Sequence, residues 1–270
     1  MTEIIVDNAK RFLLPYSWDE LTYEQLYSIA IHIFEYNIIK EEATKAYLKT
    51  KIIVELSGFC GYSAKNDFLH TELALKVLPV MDWMFERNLL TRQLLPSIRI
   101  RKKFSTVRFH APSDNFNNLT FEEFDDAEYW FIELMNPDTK QREKALNMLC
   151  AILYRPYLQT AGDNRIPYHA TENESRAEWF SYCDTRHKLC VLLWYMGCRN
   201  ALTDQFHELF SGKGDGEGNW TMLAHSLAGP VLGDIDKVNK SLIRKVLTEM
   251  LRLYRQGEDR SAAEQNAEQF

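Results

Sequence analysis

The sequence predicts a mainly all-α protein, a multi-helix bundle with one short β-hairpin near residues 98–110. Three observations predict it. Apolar residues recur at helical spacing through most of the chain, twice behind a Thr-x-x-Gln or Thr-x-x-Glu capping sequence. Period-two alternation is confined to Ile98–His110. Strands never alternate with helices as a parallel α/β sheet would require. Aromatic residues make up 13% of the chain, enough bulk for a substantial core, which excludes wholesale disorder.

The elements follow in order. Thr22 caps the first helix with Gln25 three residues on, and Leu26, Ile29, Ala30, Ile33 and Phe34 form its apolar face. A second helix runs from about Glu41 to Leu56, with Gly58 placed to end it in a left-handed cap. The stretch from Asp67 to Leu90 reads as helical, kinked or split at Pro79, and Pro96 closes the Leu89–Leu95 segment. Ile98-Arg99-Ile100-Arg101 and Thr106-Val107-Arg108-Phe109-His110 then alternate as two strands joined through Lys102–Ser105. This is the one β element the pattern supports.

After a polar loop, Thr120 and Glu123 open a helix with Phe124, Ala127, Phe131, Leu134 and Met135 on one face, and Pro137 ends it. The next helix carries Leu146, Leu149, Cys150 and Leu153 and stops at Pro156. Gln159–Thr171 is a loop, Glu174–Cys183 a helix, and Arg186–Phe210 a long apolar helix. Residues 211–218 form a glycine-rich linker, followed by a short helix from Asn219 to Ala228. The last helix opens at Asp234, carries Ile235, Val238, Leu242, Val246, Met250 and Tyr254 on one stripe, and ends at Gly257. Residues 1–257 are therefore expected to form one helical domain, the last helix packing back on it, with 258–270 a disordered polar tail.

Charge and cysteine usage narrow the classes. A net charge of −6 repels nucleic acid as a whole, so such binding needs a local basic patch. The most apolar run, Leu189–Cys198, falls short of the roughly 20 residues a membrane span needs and reads as a core helix. Five cysteines without a CxxC pair or a signal peptide point to free thiols in a cytoplasmic, reducing compartment.

Chemical motifs are sparse. Cys183, His187 and Cys190 share a helix face, but structural zinc wants a closed tetrahedral set from tight pairs, so buried thiols are the better reading. There is no GxSxG elbow, and the run Gly212–Gly218 lacks both the P-loop sequence and the calcium-loop spacing. The acids Glu122, Glu123, Asp125, Asp126 and Glu128 suit the start of a helix. Arg155, at a helix end, is expected to form a structural ion pair with an acid of that helix. No catalytic residue, cofactor or metal is expected. Two groups are candidates for contact with a partner. The first is the basic run Arg99, Arg101, Lys102, Lys103 and Arg108, which alternatively serves as a solvated edge that discourages aggregation. The second is the adaptable cluster Met81, Trp83, Met84 and Phe85, for which core packing is the competing role.

Four phrases carry a resemblance: LLTRQLLPSIRI, APSDNFNNLTFEEFDDAEYWF, LNMLCAILYRP and GNWTMLAHSLAGPVLGDIDKV. In order and spacing the chain resembles, from about Ser17 to Tyr254, helical proteins of the tail gene clusters of Bacteroidetes phages and prophages, similar to tail assembly chaperones. The resemblance implies a non-catalytic assembly protein with tail components as partners, the tape-measure or tail-tube protein among them, in the bacterial host cytoplasm or the virion. The alternatives are a nucleic-acid-binding or regulatory protein acting through residues 99–108, and a structural tail protein. No membrane association is expected.

Overall fold

Both predicted capping boxes form. Thr22 Oγ1 accepts from Gln25 N–H while Gln25 Oε1 accepts from Thr22 N–H. Thr120 and Glu123 repeat the exchange. Each box satisfies two backbone donors that a helix start leaves unpaired.

The computed structural model describes residues 2–6, 10–59, 77, 79–158, 163–210 and 233–267. Strands β1 (Thr2–Val6) and β2 (Lys10–Leu14) precede helices α1 (Tyr23–Ile38), α2 (Glu42–Phe59) and α3 (Trp83–Glu86). Then come β3 (Ser97–Lys102), β4 (Ser105–His110), α4 (Phe121–Met135), α5 (Arg142–Leu153) and β5 (Arg155–Pro156). The chain continues through α6 (Asn173–Phe180), α7 (Thr185–Gln205), α8 (His207–Phe210), α9 (Ile235–Lys240) and α10 (Ile243–Ala267). The fold is mainly helical with a short antiparallel hairpin over 97–110, as predicted.

The core centres on α5, in which every residue from Ala145 to Leu153 is buried. A helix apolar on all sides must be surrounded, and α4, α6 and α7 pack against it. On another side α1 packs between α2 and α7. Phe116 enters the core against Phe124, Trp194 and Tyr195. It does so from two successive left-handed residues, Asn115 and Phe116, at φ 53° and 57°. Such backbone costs about 1–3 kcal/mol per residue, which burial of a whole aromatic ring offsets.

Several boundaries differ from the sequence reading. A second hairpin exists: β1 pairs antiparallel with β2, Thr2 opposite Leu14 and Val6 opposite Lys10. Its β-branched run Ile4-Ile5-Val6 has strand propensity without alternation. Gly58 lies inside α2 rather than capping it. Arg87–Leu90 is not helical, because this segment crosses α7 in extended form. Asn88 Nδ2 donates to Leu193 O at 2.7 Å, Asn200 Nδ2 donates to Asn88 O at 2.9 Å, and a Cβ on Gly197 would collide with the Leu90 backbone. The long apolar helix breaks at Phe206, and Arg155–Pro156 is a strand rather than a helix end.

The last helix is two helices. Ser241 O accepts from Phe121 N–H at 2.8 Å and Ile243 N–H donates to Leu119 O at 2.9 Å. This strand-like bridge holds Ser241–Leu242 out of helical geometry and stitches the C-terminal helices to the start of α4. Beyond it α10 runs through Gly257 to Ala267, so the glycine does not end it and most of the expected tail is helical. One glycine costs a helix about 1 kcal/mol, which the helix formers on both sides outweigh. The expected helical residues 67–76, the glycine-rich linker 211–218 and the helix 219–228 lie outside the described residues.

Candidate functional site: a cationic hairpin

Alternation sorts the hairpin into two faces. Ile98, Ile100 and Phe109 are buried, and Phe109 packs its ring on Trp179 and Phe180 of α6. Arg99, Arg101 and Arg108 are exposed on the opposite face. Arg99 stands directly across the ladder from Arg108. Lys103, at φ 53°, forms the two-residue turn with Phe104, whose side chain is fully exposed at 103%. Arg99, Arg101, Lys103 and Arg108 have no hydrogen-bond or ion-pair partner among the described residues.

Lys102 differs from its neighbours. It points to the buried side, pairs with Glu178 at 2.6 Å and lies over the rings of Trp179 and Tyr182 at 5.6 Å each. The Lys102 hydrogen bond and charge hold the Glu178 carboxyl below its ordinary range. Lys102 therefore fastens the hairpin to α6 and is not part of the exposed strip.

The base of the hairpin is held by a buried ion cluster. β4 pairs with β5, bringing His110 opposite Arg155. Arg155 pairs with Glu123 of α4, the expected ion pair, both side chains at 2% exposure or less. Arg165 donates from Nη2 to Asp163 at 2.9 Å and from Nη1 to Leu153 O at 2.8 Å, and the same Nη1 lies 3.1 Å from Glu123. Arg155 also stacks 5.5 Å from the Tyr168 ring, and Tyr168 OH donates to Asp126. Burial pulls the Arg155 guanidinium below its usual range, and Glu123 opposes that shift. Arg165, Asp163 and Tyr168 carry no local motif and were not singled out by the sequence.

A cleft of about 870 Å³ opens beside this cluster, bounded by the start of α4, the 163–171 loop and α9. Glu122 on its rim has its carboxyl pushed up by burial, then by Asp126 and Glu123. The cleft's buried charges are already matched, Arg155 with Glu123 and Arg165 with Asp163. Their chemistry is cohesion: removing one member of a buried pair leaves an uncompensated charge.

The apolar candidates lie elsewhere. Met81 and Met84 are buried in the core. Trp83 meets Trp18 edge-on at 5.7 Å, and Phe85 packs on Tyr36 with Lys49 over its ring at 4.8 Å. The four do not form an exposed partner surface: Met81 and Met84 are buried, and Trp83 and Phe85 lie against Trp18, Tyr36 of α1 and Lys49 of α2. The four described cysteines, Cys150, Cys183, Cys190 and Cys198, are free thiols packed into the fold. Burial pushes Cys183 up to about 11 and Cys190 up to about 12, away from the thiolate a metal needs. His187 is stacked against Tyr23 and meets Tyr27 edge-on. Among the described residues no group of three or more His, Cys, Asp or Glu is placed to hold a metal, and no helix is long and apolar enough to cross a membrane.

Comparison with known proteins finds no matching family model, no matching curated protein and no matching solved structure.

Proposed function

We propose that this protein is a non-catalytic assembly protein that works by binding other proteins, with the exposed face and tip of the β3–β4 hairpin as its contact surface. One observation carries the reading. Arg99 and Arg108 face each other across the ladder without a carboxylate partner among the described residues. Like charges directly opposite destabilise a strand pair, and a fully exposed phenylalanine at the tip adds apolar surface in water. Arginine and aromatic side chains together are the usual anchors of protein interfaces. The resemblance of the sequence to phage tail-cluster proteins supplies the partner class: tail components, the tape-measure or tail-tube protein first, met in the host cytoplasm.

The same arginines favour a second reading, binding of nucleic acid through phosphate contacts. The net charge of −6 weighs against it. The test is a pull-down from prophage-induced cells with the wild-type chain and with Arg99→Glu/Arg108→Glu. The expected result is a tail protein recovered by the wild type and lost from the variant at unchanged thermal stability. Recovery of the same partner by both chains, or a gel shift at low salt that the variant abolishes, overturns the reading.

A further inference from the structure

The hairpin has an open side as well as an open face. The sheet order is β3–β4–β5, so among the described residues β3 is an edge strand. Lys102 and Ser105 close a two-residue turn. In such hairpins the closing pair exchanges hydrogen bonds, and so does every second pair behind it. That assigns Lys102, Ile100 and Ile98 to the β4 ladder. Two features agree with this phase. Ala111 N–H donates to Pro96 O at 3.0 Å, the next bonded pair in the series. Pro156, which has no N–H to give, sits opposite Phe109, whose groups already face β3.

The N–H and C=O groups of Ser97, Arg99 and Arg101 therefore point away from the sheet. Outside the β3–β4 ladder they make no hydrogen bond among the described residues. A row of alternating donors and acceptors is a template for one more strand. We infer that β3 binds an extended acidic segment of the partner protein by strand addition, with Arg99 and Arg101 selecting carboxylates two residues apart on the added strand.

Charge decides between occupants. A second copy of this chain, paired edge to edge, would set Arg99 and Arg101 against the same arginines, an arrangement that repels. A nucleic acid has no alternating amide row to match the open backbone groups. An acidic strand satisfies both the backbone row and the two guanidiniums, with Arg108 beside Arg99 adding to the field. This inference rests on the protein-binding reading above and deepens it.

The test uses the full chain and a fluorescent peptide alternating glutamate with valine, followed by anisotropy. Three companions accompany it: the same peptide N-methylated at alternate residues, a lysine-for-glutamate peptide, and a single-stranded RNA of similar length. The parent peptide is expected to bind, its N-methylated form about tenfold or more weakly, the scale of one lost anchoring interaction, and the lysine peptide and the RNA not at all. On the protein, Arg101→Gln removes charge and keeps the outward N–H, whereas Arg101→Pro removes both without touching the β4 ladder. Arg101→Pro should bind more weakly than Arg101→Gln. Equal affinity for the N-methylated and parent peptides, equal affinity of the two variants, binding of RNA in place of peptide, or no peptide binding at all overturns strand addition. The pull-down above judges protein binding separately, so a chain that recovers a tail protein while failing these peptide tests keeps its function and loses this mode.

Discussion

The hairpin face and the ion cluster beneath it use the same residue type for opposite ends. Arg155 and Arg165 are almost wholly buried, and each is met by a carboxylate. Arg99 and Arg108 are exposed, face each other and meet none among the described residues. Arg108 lies two residues before His110, which stands opposite Arg155 on β5. An arginine's role is set by what answers its charge. Matched and buried, it holds elements together; unmatched and exposed beside another cation, it costs stability that only a partner recovers.

Four substitutions probe this contrast, taken in order of decreasing size. Glu123→Ala removes the buried carboxylate that Arg155 pairs with and one of the two that Arg165 meets, leaving only Asp163 near both, and should cost about 3–5 kcal/mol in urea unfolding. A loss below about 1 kcal/mol, the size expected of an exposed pair, would erase the distinction between the two sets. Gly197→Ala gives a purely steric scale. Its Cβ meets the Leu90 backbone and should cost about 1–3 kcal/mol in the same experiment. Arg108→Thr should act with the opposite sign. Removing the charge opposite Arg99 should stabilise by about 0.2–1 kcal/mol, more at low salt than at high salt, while partner binding falls. A destabilised variant would mean that Arg108 has an intramolecular role.

The smallest effect concerns pH. Glu178 is exposed, and Lys102 holds its carboxyl below the ordinary 4.5. A lowered folded value means that the pair contributes fully above the unfolded value and is lost as pH falls through the folded one. An NMR titration of the Glu178 carboxyl should show a midpoint below 4.5 that moves back towards it in Lys102→Met. A midpoint unchanged by that substitution would detach Lys102 from α6.

Much of this was legible in the sequence where the signal is local. The capping boxes at Thr22 and Thr120, the 98–110 alternation and the arginine strip all follow from residues within a few positions of one another. The Arg155 ion pair was legible in kind because an arginine at a helix end beside an acidic helix needs a partner. What stayed hidden depends on distant contacts. The stripe Ile235, Val238, Leu242, Val246 reads as one helix, and only the bridge from Leu119 and Phe121 to Ser241 and Ile243 breaks it. Arg87–Leu90 is pulled from helix to extended form by α7, more than 100 residues away. Asp163, Arg165 and Tyr168 sit in a loop whose partners lie on other elements. The Met81–Phe85 cluster resembles an adaptable surface by composition, but its exposure is set by how the fold covers it.

Hydrogen exchange on the purified complex with the recovered tail protein reads the hairpin and the 163–171 loop in one experiment. New protection is expected at the Arg99 and Arg101 amides and at the turn Lys103–Phe104, with the 163–171 loop unchanged from the free chain. Protection confined to that loop and α9, with the hairpin amides exchanging as freely as before, would contradict it.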